Sequence, residues 1–231
     1  MTRFHALLGW GLVMLAGAAR AAAPAGPVVV ELFTSQGCNS CPPADALLGE
    51  LKARPDVLAL ALHVTYWNDL GWRDVFSQDQ FDQRQRRYAQ QTGRGSVYTP
   101  QMVVNGTQDV VGSQRQAVNR ALEKTMRPAS ISLQSQSGLL AISLPALQRP
   151  CDCVLTLFGV QPSARTPIGR GENKGRSLEE FQIVRTMQAL GGWQGEAKML
   201  QVKLANMPAE VSAYAVLAQE RASGRVLAAG R

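Results

Sequence analysis

Phe33-Thr34-Ser35-Gln36-Gly37-Cys38-Asn39-Ser40-Cys41-Pro42-Pro43 sets two thiols three positions apart between an apolar strand and an amphipathic helix. Before it, Val28, Val29, Val30, Leu32 and Phe33 form a β-branched and aromatic run of strand length. After it, Ala44, Leu47, Leu48 and Leu51 recur at helical spacing, with Asp45 in the first turn and prolines at the start, where no intrahelical amide partner is needed. The pair therefore falls at a strand-to-helix turn, where unpaired amides and the positive end of the helix dipole favour a thiolate over a thiol. Such a pair reads as a redox site, an inert structural disulfide or half of a zinc site. Zinc requires a second pair of ligands, and the only other cysteines, Cys151 and Cys153, lie far along in a differently patterned region.

The 231 residues suffice for one large domain or two modest ones, and 45% hydrophobic with 18% charged residues marks a globular chain. Arg3, the apolar run from Ala6 to Ala19 and the small residues Ala21-Ala22-Ala23 predict a secretory signal peptide over residues 1–23. That run is short for a membrane span, and no later stretch reaches the length of one. Cleavage takes the 24 basic residues to 22 against 17 acidic, a net of +5 that is mild and dispersed, which excludes the basic stripe of a nucleic-acid binder. All four cysteines survive cleavage, and outside the cytoplasm they are expected to oxidise.

Further along, the continuous apolar run Val57 to Val64 predicts a central parallel strand, completing a βαβ unit. An aromatic loop from Tyr66 to Arg73 leads to a helix over 79–91, ended by Gly93 and Gly95. Thr99-Pro100 opens a strand from Gln101 to Val104, and Asn105-Gly106 turns it into an antiparallel partner from Thr107 to Val111. Ser113 and Gln116 predict a capping box for a helix ending at Arg127. The order βαβαββα is that of a thioredoxin-like α/β domain, expected over 28–127.

The wording of these segments carries a further resemblance. Phe33 to Asp45, His63-Val64-Thr65-Tyr66-Trp67 with Leu70-Gly71-Trp72, Val97 to Gly106, and Gly169 to Asn173 with Gly175-Arg176 resemble the domain-of-unknown-function family 1223 of secreted bacterial proteins, over nearly all of the mature chain. That family implies no settled activity. The thioredoxin-like resemblance implies that Cys38 attacks and Cys41 resolves. It also implies that Glu31 is a buried acid beneath Cys41, able to accept its proton. Thr99-Pro100 is similar to the cis-proline turn that presents backbone groups to a bound peptide in that fold. Trp67 and Trp72 either line a groove for an apolar peptide or pack as a lid. His63, the one histidine left after cleavage, reads as a satisfied strand-end residue, with copper held by Cys38, Cys41 and His63 as the alternative. Relatives tend to have aspartates where this chain has Thr65 and Asn68, so an acidic site there is weakened.

From Ala129 the pattern becomes short strands separated by Ser137-Gly138, Gly191-Gly192, Asn206 with Pro208, and Ser223-Gly224. This predicts a mostly β, sandwich-like C-terminal domain over 129–231. Cys151-Asp152-Cys153 enters it, and both thiols point one way on an extended strand, which fits a local or regulatory disulfide. Gly169 to Arg176 lacks the spacing of a phosphate-binding loop and reads as a structural loop. The expected protein is an exported thiol–disulfide oxidoreductase with Cys38, Cys41 and Glu31 catalytic, and with Thr99, Pro100, Trp67 and Trp72 binding protein or peptide thiols. No cofactor, resident metal, nucleic acid or membrane span is expected. The alternatives are a binding module with a structural disulfide and a soft-metal carrier.

Overall fold

A computed structural model describes residues 23–231, so the expected signal peptide lies outside the described residues apart from its last position. The strands are β1 (Val28–Thr34), β2 (Val57–His63), β3 (Gln101–Val104), β4 (Gln108–Val111), β5 (Ala129–Ser130), β6 (Ser132–Gln136), β7 (Leu139–Leu144), β8 (Cys153–Pro167), β9 (Ser177–Trp193), β10 (Lys198–Lys203), β11 (Ala213–Glu220) and β12 (Val226–Gly230). The helices are α1 (Pro42–Leu51), α2 (Asp79–Gln91) and α3 (Arg115–Lys124).

Nine strands join in one curled mixed sheet of order β4-β3-β1-β2-β9-β8-β11-β12-β5, and β10-β7-β6 form a second sheet. This overturns the expected thioredoxin-like α/β domain followed by a separate sandwich-like domain. Among the described residues the molecule is mostly β, with three short helices, and β5, β8, β9, β11 and β12 continue the first sheet. The join is at β2, where Ala61 pairs in parallel with Ile183 of β9. Sequence patterning missed it because β8 and β9 are far longer than the apolar runs that announce them: the outer part of β8 is half-buried or exposed throughout, and that of β9 alternates exposed with buried positions. Gly191 and Gly192, expected to form a turn, lie inside β9 opposite Leu155 and Val154, next to a shift in register.

Alternation along the strands sorts side chains onto two faces. Val28, Val30 and Leu32 of β1, with Val57, Ala59 and Ala61 of β2, pack against Ala44, Leu47, Leu48 and Leu51 of α1 and Val118, Ala121 and Leu122 of α3. The other face, Val29 and Phe33 with Leu58, Leu60 and Leu62, meets Phe81 and Tyr88 of α2, and the curl brings Phe158, Val184 and Leu217 onto the same core. A third cluster joins Leu140, Ile142 and Leu144 of the small sheet to Leu155, Leu157 and Val216 of the large one. Helix α1 lies close against β9 of this sheet: a Cβ on Gly49 would stand 2.5 Å from the Phe181 ring, so only glycine admits this approach. Asn105 (φ 44°) and Gly106 (φ 75°) make the tight turn expected between β3 and β4. The expected capping box does not form, since the N-cap of α3 is Gln114, with no side-chain cap bond.

Candidate functional site

Cys38 and Cys41 are joined in a disulfide, with Cα atoms 5.5 Å apart, and both are 0% exposed. Cys41 is the N-cap of α1 and Pro42 and Pro43 follow it, so the helix starts on the second sulfur's own residue. The tip of the β8–β9 hairpin is bonded to the cysteine turn. Buried Asn173 donates from Nδ2 to the carbonyls of Gln36 (2.9 Å) and Cys38 (3.0 Å), and its Oδ1 accepts from Arg176 (2.9 Å). Glu172 accepts from the Asn39 amide at 3.2 Å. Gly171 abuts Trp72, whose Nε1 donates to Gln36 Oε1 at 3.0 Å. On the other flank Trp67 covers Gly37 and donates to Thr99 Oγ1 at 2.9 Å, next to the Thr99–Pro100 bond, which is cis. Both tryptophans and Thr99-Pro100 thus gather around the cysteine turn.

Beneath this turn lies a cluster of ionisable groups. His63, at the end of β2, directs Nδ1 to Asp74 Oδ2 (2.7 Å), and Glu180 Oε1 stands 3.9 Å away. Asp74 also accepts from the amides of Gln36 (2.8 Å) and Phe76 (2.9 Å), so one carboxylate ties the imidazole to the cysteine loop. Glu180 accepts from Gln36 Nε2 (2.9 Å) and Thr166 Oγ1 (2.8 Å). Asp45 of α1 completes the group. Burial opposes a charge on His63, but Asp74, Glu180 and Asp45 outweigh it and raise the imidazole to about 9. Burial pushes Asp45 up to about 7, with the His63 charge pulling the other way. Burial likewise raises Glu180. Burial would raise Asp74 too, but the His63 charge and its hydrogen bonds hold it below the ordinary carboxylate value.

Glu31 is elsewhere. It lies on the opposite face of β1 from α1, where Arg84 grips it with Nε and with Nη2 (2.9 Å), and Tyr88 Oη donates to it. Arg84 Nη2 also reaches Tyr88 Oη (2.9 Å) and Gln219 Oε1 (2.6 Å). Strand alternation therefore keeps Glu31 from lying beneath Cys41, and the buried acids on the cysteine side are Asp45, Asp74 and Glu180. Asp45 was visible in the sequence, four residues after Cys41, but as a helix-dipole residue. Asp74 and Glu180 carry no local signal, and Asn173 lies in the Gly169 to Arg176 stretch expected to be a structural loop.

His63 is engaged by Asp74, and among the described residues no three His, Cys, Asp or Glu side chains are grouped to hold a metal ion. Thr65 donates through N (2.8 Å) and Oγ1 (2.6 Å) to Asp82 of α2. The second pair, Cys151 and Cys153, is also a disulfide, with Cα atoms 5.5 Å apart. Two disulfides fit an extracellular location. Among the described residues no helix is long and apolar enough to cross a membrane.

The profile of a family described as "Protein of unknown function (DUF1223)" matches residues 29–219. A crystal structure of a protein from Agrobacterium tumefaciens is similar, with a TM-score of 0.77 and 29% identity over 90% of this chain and 94% of that one. HBP35 of Porphyromonas gingivalis shares the fold with a TM-score of 0.57 at 15% identity, over 91% of this chain and 76% of that one. No curated protein matches the sequence.

Proposed function

The chain belongs to the DUF1223 family, and on that premise we propose that it is an exported thiol–disulfide oxidoreductase working on protein or peptide thiols through Cys38 and Cys41. The observation that carries this reading is the disulfide at the start of α1 set above a buried acid–imidazole cluster. A crosslink closing so short a loop removes little chain entropy, on the order of 1–2 kcal/mol, so stability is a weak reason for it. Burying an imidazole among three carboxyl groups is costly, and such costs concentrate where a pKa must be set. Trp67, half-buried beside the turn, offers an apolar wall to a peptide. Both sulfurs are covered, so exchange runs through an opened state in which Asn173 and Glu172 release the turn. Export agrees with the expected signal peptide and places the reaction in the periplasm or outside the cell.

The test uses the unequal roles of the two thiols. With Cys151 and Cys153 replaced by alanine, Cys41→Ala should accumulate mixed disulfides with exported proteins, seen on a non-reducing gel and removed by reductant. Cys38→Ala should accumulate none. A folded Cys41→Ala protein that traps nothing rules the assignment out.

A further inference from the structure

We propose that Asp45 is the proton carrier of this disulfide, giving a proton to the Cys41 sulfur when the Cys38–Cys41 bond breaks and taking it back when the bond re-forms. The inference deepens the oxidoreductase reading and rests on it for its biological use.

The geometry begins with the helix. Cys41 has helical dihedrals (φ −79°, ψ −36°), and the Asp45 amide donates to its carbonyl at 3.2 Å. Residues four apart stand on one helix face with their Cβ atoms roughly 5–6 Å from each other, so the Asp45 and Cys41 side chains leave the helix on the same side. Both are buried, Cys41 at 0% and Asp45 at 8% exposure. The groups facing Asp45 come from every element around it: Thr34 of β1, His63 of β2, Asp74 of the following loop and Glu180 of β9.

Two further atoms mark this spot as unfinished. Thr34 and His63 are partners in the β1–β2 register, and by alternation both face α1. Among the described residues Thr34 Oγ1 and His63 Nε2 are buried with no hydrogen-bond partner. Buried polar atoms are almost always satisfied, so two orphans on paired strand positions facing α1 mark a place where a proton or a bridging water belongs. The other carboxyls are engaged: Asp74 accepts from His63, Gln36 and Phe76, and Glu180 from Gln36 and Thr166. Asp45 is the carboxyl of the group that shares a helix face with Cys41. Its position near 7 populates both forms at neutral pH, as a carrier requires.

In the reducing direction a substrate dithiol supplies the electrons. One substrate thiolate attacks Cys38 Sγ, the Cys38–Cys41 bond breaks, and Cys41 leaves as a thiolate that takes the proton from the Asp45 carboxyl. The second substrate thiol, losing its proton to the Asp45 carboxylate, attacks the mixed disulfide and expels Cys38 as a thiolate, which is protonated from solvent. The substrate becomes a disulfide, losing two electrons and two protons, and the protein gains both. The oxidising direction is the reverse.

The experiment compares the rates at which dithiothreitol reduces the wild-type and Asp45→Asn proteins between pH 5.5 and 9, followed by the fluorescence of Trp67 and Trp72 beside the disulfide. Ionisation of the reductant is common to both and cancels in the ratio. The variant should be about tenfold or more slower at pH 6 and converge on wild type above pH 8.5, where the carboxyl has no proton to give. Asp45→Glu should restore the pH dependence. A ratio that is the same at every pH overturns the assignment, because a merely structural role changes the rate uniformly. If Asp45→Asn does not fold, the carboxyl carbon of Asp45 in the wild type should titrate between pH 6 and 8 and move when the disulfide is reduced; a flat trace from pH 5 to 9 overturns it. Should the Cys41→Ala trap stay empty while the ratio still varies with pH, the exchange reading falls and the role of Asp45 at its disulfide stands.

Discussion

The two faces of strand β1 carry two buried acidic sites that differ in one respect. On the α2 face Glu31 meets Arg84 and Tyr88, with Gln219 closing the network, so that charge and hydrogen bonding are saturated. On the α1 face Asp45, Asp74 and Glu180 surround a single His63, and two polar atoms are left over. A saturated network has one arrangement and serves to fix α2 and β11 on the sheet. An under-satisfied one can change protonation without breaking apart, so chemistry belongs there.

The largest expected effect tests the saturated side. Glu31→Gln leaves the Arg84 guanidinium buried without its counter-charge, which should cost about 3–5 kcal/mol in urea unfolding. A loss below about 1 kcal/mol would show the network to be dispensable and erase the contrast.

Next comes pH. His63 is held up to about 9 in the fold against an ordinary 6.5, so its stabilisation is complete below pH 6.5 and is lost as the pH rises through 9. Asp45, raised to about 7 from 3.8, acts in the same direction: its contribution is complete below pH 3.8 and is lost by about pH 7. Together they should make the protein less stable from pH 4 to 9, with the His63 part worth on the order of 3 kcal/mol. Urea midpoints should fall across that range, and His63→Asn should flatten the limb between pH 6.5 and 9 alone. Midpoints that rise toward pH 9 contradict a charged His63.

The smallest effect concerns the cover. Asn173→Ala removes two bonds to the cysteine turn, at a cost of about 1–2 kcal/mol in that region. It should speed reduction of the Cys38–Cys41 disulfide by dithiothreitol about tenfold, the equivalent of roughly 1.4 kcal/mol of easier opening. An unchanged rate would mean that the hairpin tip does not limit access, and that both sites on β1 sit in equally closed surroundings.

The sequence by itself determined the local pieces. Apolar runs placed β1 and β2, Asp79 to Gln91 read as α2 from its spacing, Gln101 to Val104 bounded β3, and Asn105-Gly106 announced a tight turn. Each is set by neighbours along the chain: side-chain period, proline and glycine backbone limits, and turn chemistry. The cysteine pair and the residues flanking it were legible for the same reason. Only the tertiary structure decided which face of β1 each residue occupies, that Glu31 lies away from the cysteines, and that Asp74, Glu180 and Asn173, 33, 139 and 132 positions after Cys41 in sequence, converge on them. It also decided that β9 pairs with β2 and fuses two expected domains into one sheet. Pairing between distant strands depends on backbone hydrogen bonds that any residue can supply, and polar groups meet in a buried cluster only after the curl has formed. Neither leaves a periodic mark in the sequence.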